Sequence, residues 1–269
     1  MNIKEITKDS IRYPLSDWNK ILILGIITLF STISGIEVIA VLLNTTNITL
    51  VRFLVIIEFI IGLLALGYSF KIIKSSLNKV AELPKFNSWV NMFIDGVKFF
   101  IVEIVYMIPA ILIILLFAAL HPSTLGIIES NPTLIDSHIL NALIGILNSL
   151  GAGIWSLVAV LYTLIIYPIS LIAIANMVHT DSKLSTAFKF GEILNKISSI
   201  GWGKLIMWYI MLGLIYLAVN LIGMVILIIF SFSTFYIVGL VLVSLTLAPY
   251  FYIYLARSLA LLYKSEENP

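Results

Sequence analysis

Apolar stretches far longer than a soluble helix needs alternate with short polar ones along the whole chain. Trp18 to Asn44, Thr49 to Ile73, Lys98 to Leu120, Ile154 to Val178, Lys204 to Phe230 and Phe235 to Tyr263 are dominated by Ile, Leu, Val and Phe. Each supplies the ~20 residues that cross a bilayer, with tilt absorbing the excess. Backbone groups in hydrocarbon have no water to bond, so runs of this length close their hydrogen bonds internally as helices. The pattern predicts an all-α polytopic membrane protein with six transmembrane helices in a single integral membrane domain, 1–269. The run after Trp18 is too long for the core of a cleavable signal, and no small-x-small site follows it, so it reads as a retained span. Ile139 to Leu150 is apolar but too short to cross, and Gly151-Ala152-Gly153 interrupts it. It reads as an outer half-helix or as the bent start of span four. A seventh full span is the rival, and it would put the basic stretch 183–204 on the wrong side.

Two of the polar stretches carry a helical rhythm of their own. Phe86, Trp89, Val90, Phe93, Ile94 and Val97 recur at spacings of three and four, opposite Asn87, Ser88, Asn91, Asp95 and Lys98. That spacing predicts an amphipathic helix over 86–97, N-capped by Asn87 or Ser88. Leu184, Phe188, Gly191 and Leu194 repeat the pattern opposite Lys183, Lys189, Glu192 and Lys196, and Ile3 and Ile6 give a weaker version before the first span. Helices with a basic face and an apolar face lie in the membrane interface. Each is followed by two spans, so the chain reads as three parallel repeat units, 1–78, 79–181 and 182–269. The alternative is the rhythm any six-helix protein shows.

Composition sharpens this picture. Of the 269 residues, 61% are hydrophobic and 11% charged, with a mean hydropathy of +1.10. A soluble domain carries about 25% charge, so soluble enzymes, nucleic-acid binders and disordered proteins are excluded. There is no cysteine, hence no disulfide, thiolate metal site or iron–sulfur ligand. The net charge is only +2, but its distribution is uneven. Lys4, Lys8, Arg12 and Lys20 precede span one. Lys71, Lys74, Lys79, Lys85 and Lys98 lie between spans two and three. Lys183, Lys189, Lys196 and Lys204 lie between spans four and five, and Arg257 and Lys264 close the last span. Of the sixteen basic residues only Arg52 falls on the other side. The bias predicts a multi-pass cell-membrane protein with both termini cytoplasmic.

The most distinctive stretch runs Glu82-Leu83-Pro84-Lys85-Phe86, then Trp89, Phe93, Asp95-Gly96 and Lys98, then Tyr106 and Pro109. It resembles an archaeal and bacterial membrane family catalogued as domain of unknown function 4013. Arg12-Tyr13-Pro14, Tyr167-Pro168 and the helix around Ala187-Phe188 fit the same pattern, so the resemblance covers essentially the whole chain. Asn87-Ser88 stand where acidic residues are common in that family, which argues against a metal or acidic site there. The resemblance implies no activity.

Intramembrane charges are the default functional candidates, because each is costly at the bilayer centre. They are Glu37, Arg52, Glu58 and Glu103. Glu103 lies five residues past Lys98 and reads as a structural group reaching back to the interface. Spans one and two are antiparallel neighbours across a short turn, so Arg52 can reach Glu37. Arg52 and Glu58 are six residues apart and point to different faces. Glu58 is left near the bilayer centre, either as a neutral acid bonded to a neighbouring helix or as a cation site lining a polar cavity. His121, Glu129, Asp136 and His138 share one outer loop, but their spacing matches no metal motif, and a solvated loop is the better reading. No phosphate-binding loop, dinucleotide fingerprint, zinc-protease motif or catalytic triad is legible. The expectation is a non-catalytic membrane protein without catalytic residues, metal or cofactor, acting through the lipid bilayer or a protein partner and not through nucleic acid. The rival is a small transporter using the intramembrane acids.

Overall fold

A computed structural model describes residues 1–31, 48–120, 138–231 and 236–266, with side chains described throughout except at 48–52, 118–120 and 138–152. These residues form helices and turns, and no strand occurs among them. The helices are α1 (Ile3–Arg12), α2 (Trp18–Leu29), α3 (Ile48–Leu77), α4 (Trp89–Leu120), α5 (His138–His179), α6 (Phe190–Ile200), α7 (Trp202–Ser231) and α8 (Tyr236–Tyr263). Five stretches are long and apolar enough to cross a membrane: Phe53–Leu77, Trp89–Phe117, Gly153–His179, Trp202–Ser231 and Tyr236–Tyr263. The chain is thus an all-α, multi-pass membrane protein. Of the first expected span, Trp18 to Asn44, the structure describes the shorter apolar helix α2, and residues 32–47 lie outside the described residues.

Two expectations about boundaries change. The amphipathic segment 86–97 is not a separate helix: α4 begins at Trp89 and runs unbroken into the third apolar run. Nothing in the sequence breaks it, because Gly96 is held inside the helix by a close crossing. A Cβ on Gly96 would lie 1.8 Å from the Leu63 carbonyl oxygen, and one on Gly67 would lie 1.7 Å from that of Met92. Two glycines therefore let α3 and α4 approach backbone to backbone, as small residues do in membrane helix pairs. The second amphipathic segment starts with a 3-10 turn, Leu184–Phe188, which shifts the register of the helix that follows. The apolar face of α6 is consequently Ile193, Ile197 and Ile200, all buried, whereas Leu194 is exposed. The apolar stretch 139–150 is continuous with span four in α5, the second of the two expected alternatives.

Residues 1–102 and 171–269 form one compact unit, and 103–170 form another. In the first unit α8 packs against α1, α2, α3 and α7. Gly25 of α2 sits against the backbone of Leu245, so α2 and α8 also cross closely. Helix α1 is fixed by a capping box: Asn2 accepts from the Glu5 backbone N–H at 2.9 Å, and Glu5 accepts from that of Asn2 at 3.0 Å. The second unit consists of the helical segments 103–120 and 138–170. They are joined where the Tyr162 hydroxyl donates to the Tyr106 carbonyl at 3.0 Å.

Candidate functional site

The polar side chains of the first unit gather where the starts of α2, α4 and α7 meet the ends of α3, α5 and α8. The segment 78–88, which joins α3 to α4, lies there as a strap. Helix α3 ends with Lys79 in the left-handed region (φ 62°). The amides of Lys79 and Val80 donate back to the carbonyls of Ser76 and Ser75 at 3.0 and 3.1 Å. This is a Schellman ending, here built without the usual glycine.

From that point successive carbonyls are taken up by side chains from elsewhere. The Arg257 guanidinium donates to Val80 O at 3.1 Å, and the Tyr13 hydroxyl to Glu82 O at 2.9 Å. Lys20 Nζ donates to Leu83 O at 2.6 Å, and the Tyr68 hydroxyl to Pro84 O at 2.9 Å. Lys71 Nζ donates to Lys85 O at 2.7 Å and to both the carbonyl and the side-chain oxygen of Asn87. The Phe86 ring stacks on Tyr68 at 3.9 Å. A strap without secondary structure cannot satisfy its own carbonyls, and each one left bare in an apolar setting is costly. Lysine, arginine and tyrosine at the helix ends meet that need.

Arg257 is the centre of this layer. It is 9% exposed. Its Nε donates to Asp9 Oδ2 at 2.8 Å, and its Nη1 to Ser76 Oγ at 3.2 Å. Its guanidinium carbon lies 4.4 Å over the Tyr13 ring. One side chain of α8 therefore ties α1, the end of α3, the strap and the turn after α1. Burial pushes the Tyr13 phenol above its ordinary value, against the opposing pull of the Arg257 charge, so Tyr13 stays a neutral donor. At the start of α2, Asp17 caps the helix at Lys20 N. The hydrogen bond from Lys20 holds the Asp17 carboxyl below its usual range.

The family-like motif Leu83, Pro84, Phe86, Asp95, Gly96, Lys98, Tyr106 and Pro109 acquires physical roles. Leu83 is buried, and Pro84 and Phe86 form the clamped strap. Asp95 pairs with Lys98 at 3.5 Å, one turn apart, and Gly96 permits the α3–α4 crossing. Lys98 Nζ donates to Ser182 O at 3.1 Å, in the turn where Asp181 and Ser182 both have positive φ. Tyr106 is buried, and Pro109 lies inside α4. The end of α5 is tied in similarly. Asn176 donates to Thr186 O at 3.2 Å and accepts from the Tyr263 hydroxyl at 2.8 Å, while Lys196 pairs with Glu266 and lies over the Tyr263 ring.

The intramembrane candidates fare differently. Glu37 lies outside the described residues. Arg52 is in α3, but its side chain is not among the described ones, and neither is that of His138. His121, Glu129 and Asp136 also lie outside the described residues. Glu58 is half-buried on α3 and makes no hydrogen bond or ion pair with another described residue. Glu103, expected to reach back to the interface, instead accepts from Ser170 Oγ at 3.4 Å within the second unit. Sequence reasoning missed both Arg257 and the Glu103–Ser170 pair. The signal for Arg257 was a lone arginine six residues before the end of an apolar run. For Glu103 it was a hydroxyl two residues after a proline in a distant span, which no spacing rule connects.

No curated protein and no solved structure matches the chain. The family described as "Protein of unknown function (DUF4013)" matches residues 50–229. That range contains the strap, the Gly67–Gly96 crossing and the Lys98 tie, so two thirds of the chain carries the match, and the protein belongs to this family.

Proposed function

We propose that this is a non-catalytic protein of the cell membrane that acts through lipid or protein partners, with six spans and both termini in the cytoplasm. The observation that carries this reading is the use made of the polar side chains around the strap. Lys20, Tyr68, Lys71, Lys98 and Arg257 each hold a backbone carbonyl of the chain itself. A side chain engaged in that way is a fastener and not a reagent. The orientation draws on the basic residues, whose bias toward the strap end fits a cytoplasmic face. A threefold repeat draws support from the shared positive-φ endings of α3 at Lys79 and α5 at Asp181. The Arg52–Glu37 pairing belongs to the same proposal. Impermeant thiol labelling of intact cells tests the orientation. Cysteine at Ser130 should react and cysteine at Asn87 should not, and the reverse would overturn it.

A second reading, a small transporter, is favoured by Glu103. A carboxyl inside an apolar span with a hydroxyl as its hydrogen-bond partner is the type of group that carries protons through membranes. Proteoliposomes loaded with a pH-sensitive dye separate the two. The non-catalytic reading expects no proton flux above that of protein-free vesicles. A flux abolished by Glu103→Gln would contradict it and establish the transporter.

A further inference from the structure

Helix α1 carries two stripes side by side. Ile3, Thr7 and Ile11 follow one another at intervals of four, and Lys4, Lys8 and Arg12 lie one position on, so the basic stripe borders the apolar one along the whole helix. Thr7 at the middle of the first stripe is buried, but Ile3 and Ile11 on either side of it stay partly open. Between this stripe and α7 runs a groove of about 510 Å³, with Met207 and Met211 as its far wall and Lys4, Lys8 and Arg12 along its rim. Its volume falls within the ~300–1,000 Å³ of sites that hold small ligands. Met207, with Ile206 and Ile210, is exposed on α7, a helix long enough to cross the membrane, so the groove opens along a bilayer-facing flank.

The charge on the rim is not neutralised from within. The acids of α1 are both engaged elsewhere, Glu5 in the capping box and Asp9 on Arg257. Lys4, Lys8 and Arg12 are exposed and make no ion pair among the described residues. Three cations in a row beside an apolar slot demand an occupant with an anionic head and a hydrocarbon tail. A soluble acidic peptide would match the charge but not the slot. A neutral lipid would match the slot but not the charge.

We propose that the α1–α7 groove is a binding site for an anionic phospholipid, its phosphate on Lys4, Lys8 and Arg12 and an acyl chain against Met207 and Met211. The proposal rests on the membrane reading above and deepens it. Methionine walls suit the chain, because an unbranched, polarisable side chain adapts to a flexible hydrocarbon. The cations suit the head, because each basic residue near a membrane surface strengthens attraction to acidic lipid.

The test is native mass spectrometry of the full-length protein released from neutral detergent, titrated with phosphatidylglycerol or phosphatidylcholine. The expected result is preferential retention of phosphatidylglycerol. The triple change Lys4→Gln, Lys8→Gln, Arg12→Gln should weaken it by about tenfold or more. Lys74→Gln, Lys79→Gln, Lys85→Gln, which removes as much charge elsewhere, should leave it within about twofold. Met211→Trp, which fills the slot and keeps every charge, should also weaken it. Equal effects of the two triple changes would reduce the site to general electrostatic attraction and overturn the proposal. So would indifference to Met211→Trp, or displacement of the lipid by millimolar inorganic phosphate, which would mark a plain anion site. Alkaline extraction of the protein from membranes distinguishes the two levels. A protein that stays in the membrane and shows no lipid preference loses only the groove assignment, whereas one that is extracted loses the membrane reading itself.

Discussion

Two regions of the chain treat polar groups in opposite ways. At the strap end of the first unit, side chains from five helices converge on backbone carbonyls, and Arg257 alone touches four segments. In residues 103–170 the helices display Ile111, Leu112, Leu115, Ile154, Leu157, Leu161 and Ile165 outward, and the ties between 103–120 and 138–170 include the bonds of Tyr162 to Tyr106 and Ser170 to Glu103. Where the chain must turn and leave helical geometry, orphaned carbonyls recruit charged and phenolic donors. Where it stays helical, the backbone satisfies itself, and outward side chains need only match lipid. Polar residues in such a protein therefore mark irregular backbone first. The exceptions, acids inside regular spans such as Glu58 and Glu103, are where chemistry is to be sought.

Removing Arg257 should break this contrast most severely. Arg257→Ala leaves Asp9 without its partner and strips a donor from the Val80 carbonyl. A cost of about 2–4 kcal/mol is expected, because the hydrogen bonds to Ser76 and Val80 and the packing on Tyr13 are lost, while Asp9, 40% exposed, meets water. Thermal unfolding of the protein in lipid nanodiscs would show it, and a loss below ~1 kcal/mol would mean the layer does not hold the unit together. Gly96→Ala comes next. Its Cβ would overlap a carbonyl, so α3 and α4 must separate, at a cost of about 1–3 kcal/mol by the same measurement. Full tolerance would mean that the two helices do not cross as closely as Gly67 and Gly96 indicate.

The second region should respond weakly. Glu103→Gln keeps an acceptor for Ser170, so a change within about 1 kcal/mol is expected, the range of a single hydrogen bond. Severe loss of folding would show that Glu103 carries a charge its surroundings require. The smallest effect has the opposite sign. Lys79→Gly relieves a left-handed residue and should stabilise by about 1 kcal/mol, visible as a small rise in the unfolding midpoint. No change would indicate that the Lys79 side chain contributes what the backbone strain costs.

The spans were legible because hydrophobic run length is dictated by bilayer thickness, and this chain keeps its runs clear of all but a few charges. The motif was legible as unusual, but its meaning was not. Leu83, Pro84 and Phe86 are legible in one dimension only as a family-like stretch, and only the positions of Lys20, Tyr68 and Lys71 reveal a clamped strap. Gly96 was legible only as part of that stretch, and the crossing with α3 is what shows its role as an interior residue of α4. The amphipathic face of α6 was misplaced, because a 3-10 turn before Phe190 moves the register in a way that spacing alone cannot register. Arg257 was counted with the basic residues of an end, since an arginine near the end of a span looks like an orientation signal. Its pairing with Asp9, 248 positions away, has no local trace.

The central claim is that these polar residues fasten the chain to itself, and Arg257 with Asp9 is the pair on which it turns. A double-mutant cycle of Arg257→Met and Asp9→Leu, read as unfolding free energy in nanodiscs, isolates their coupling from the general cost of either change. The account predicts a favourable coupling of about 1–3 kcal/mol, with the double variant more stable than the sum of the single losses implies. Additive losses, with no coupling beyond ~0.3 kcal/mol, would contradict it.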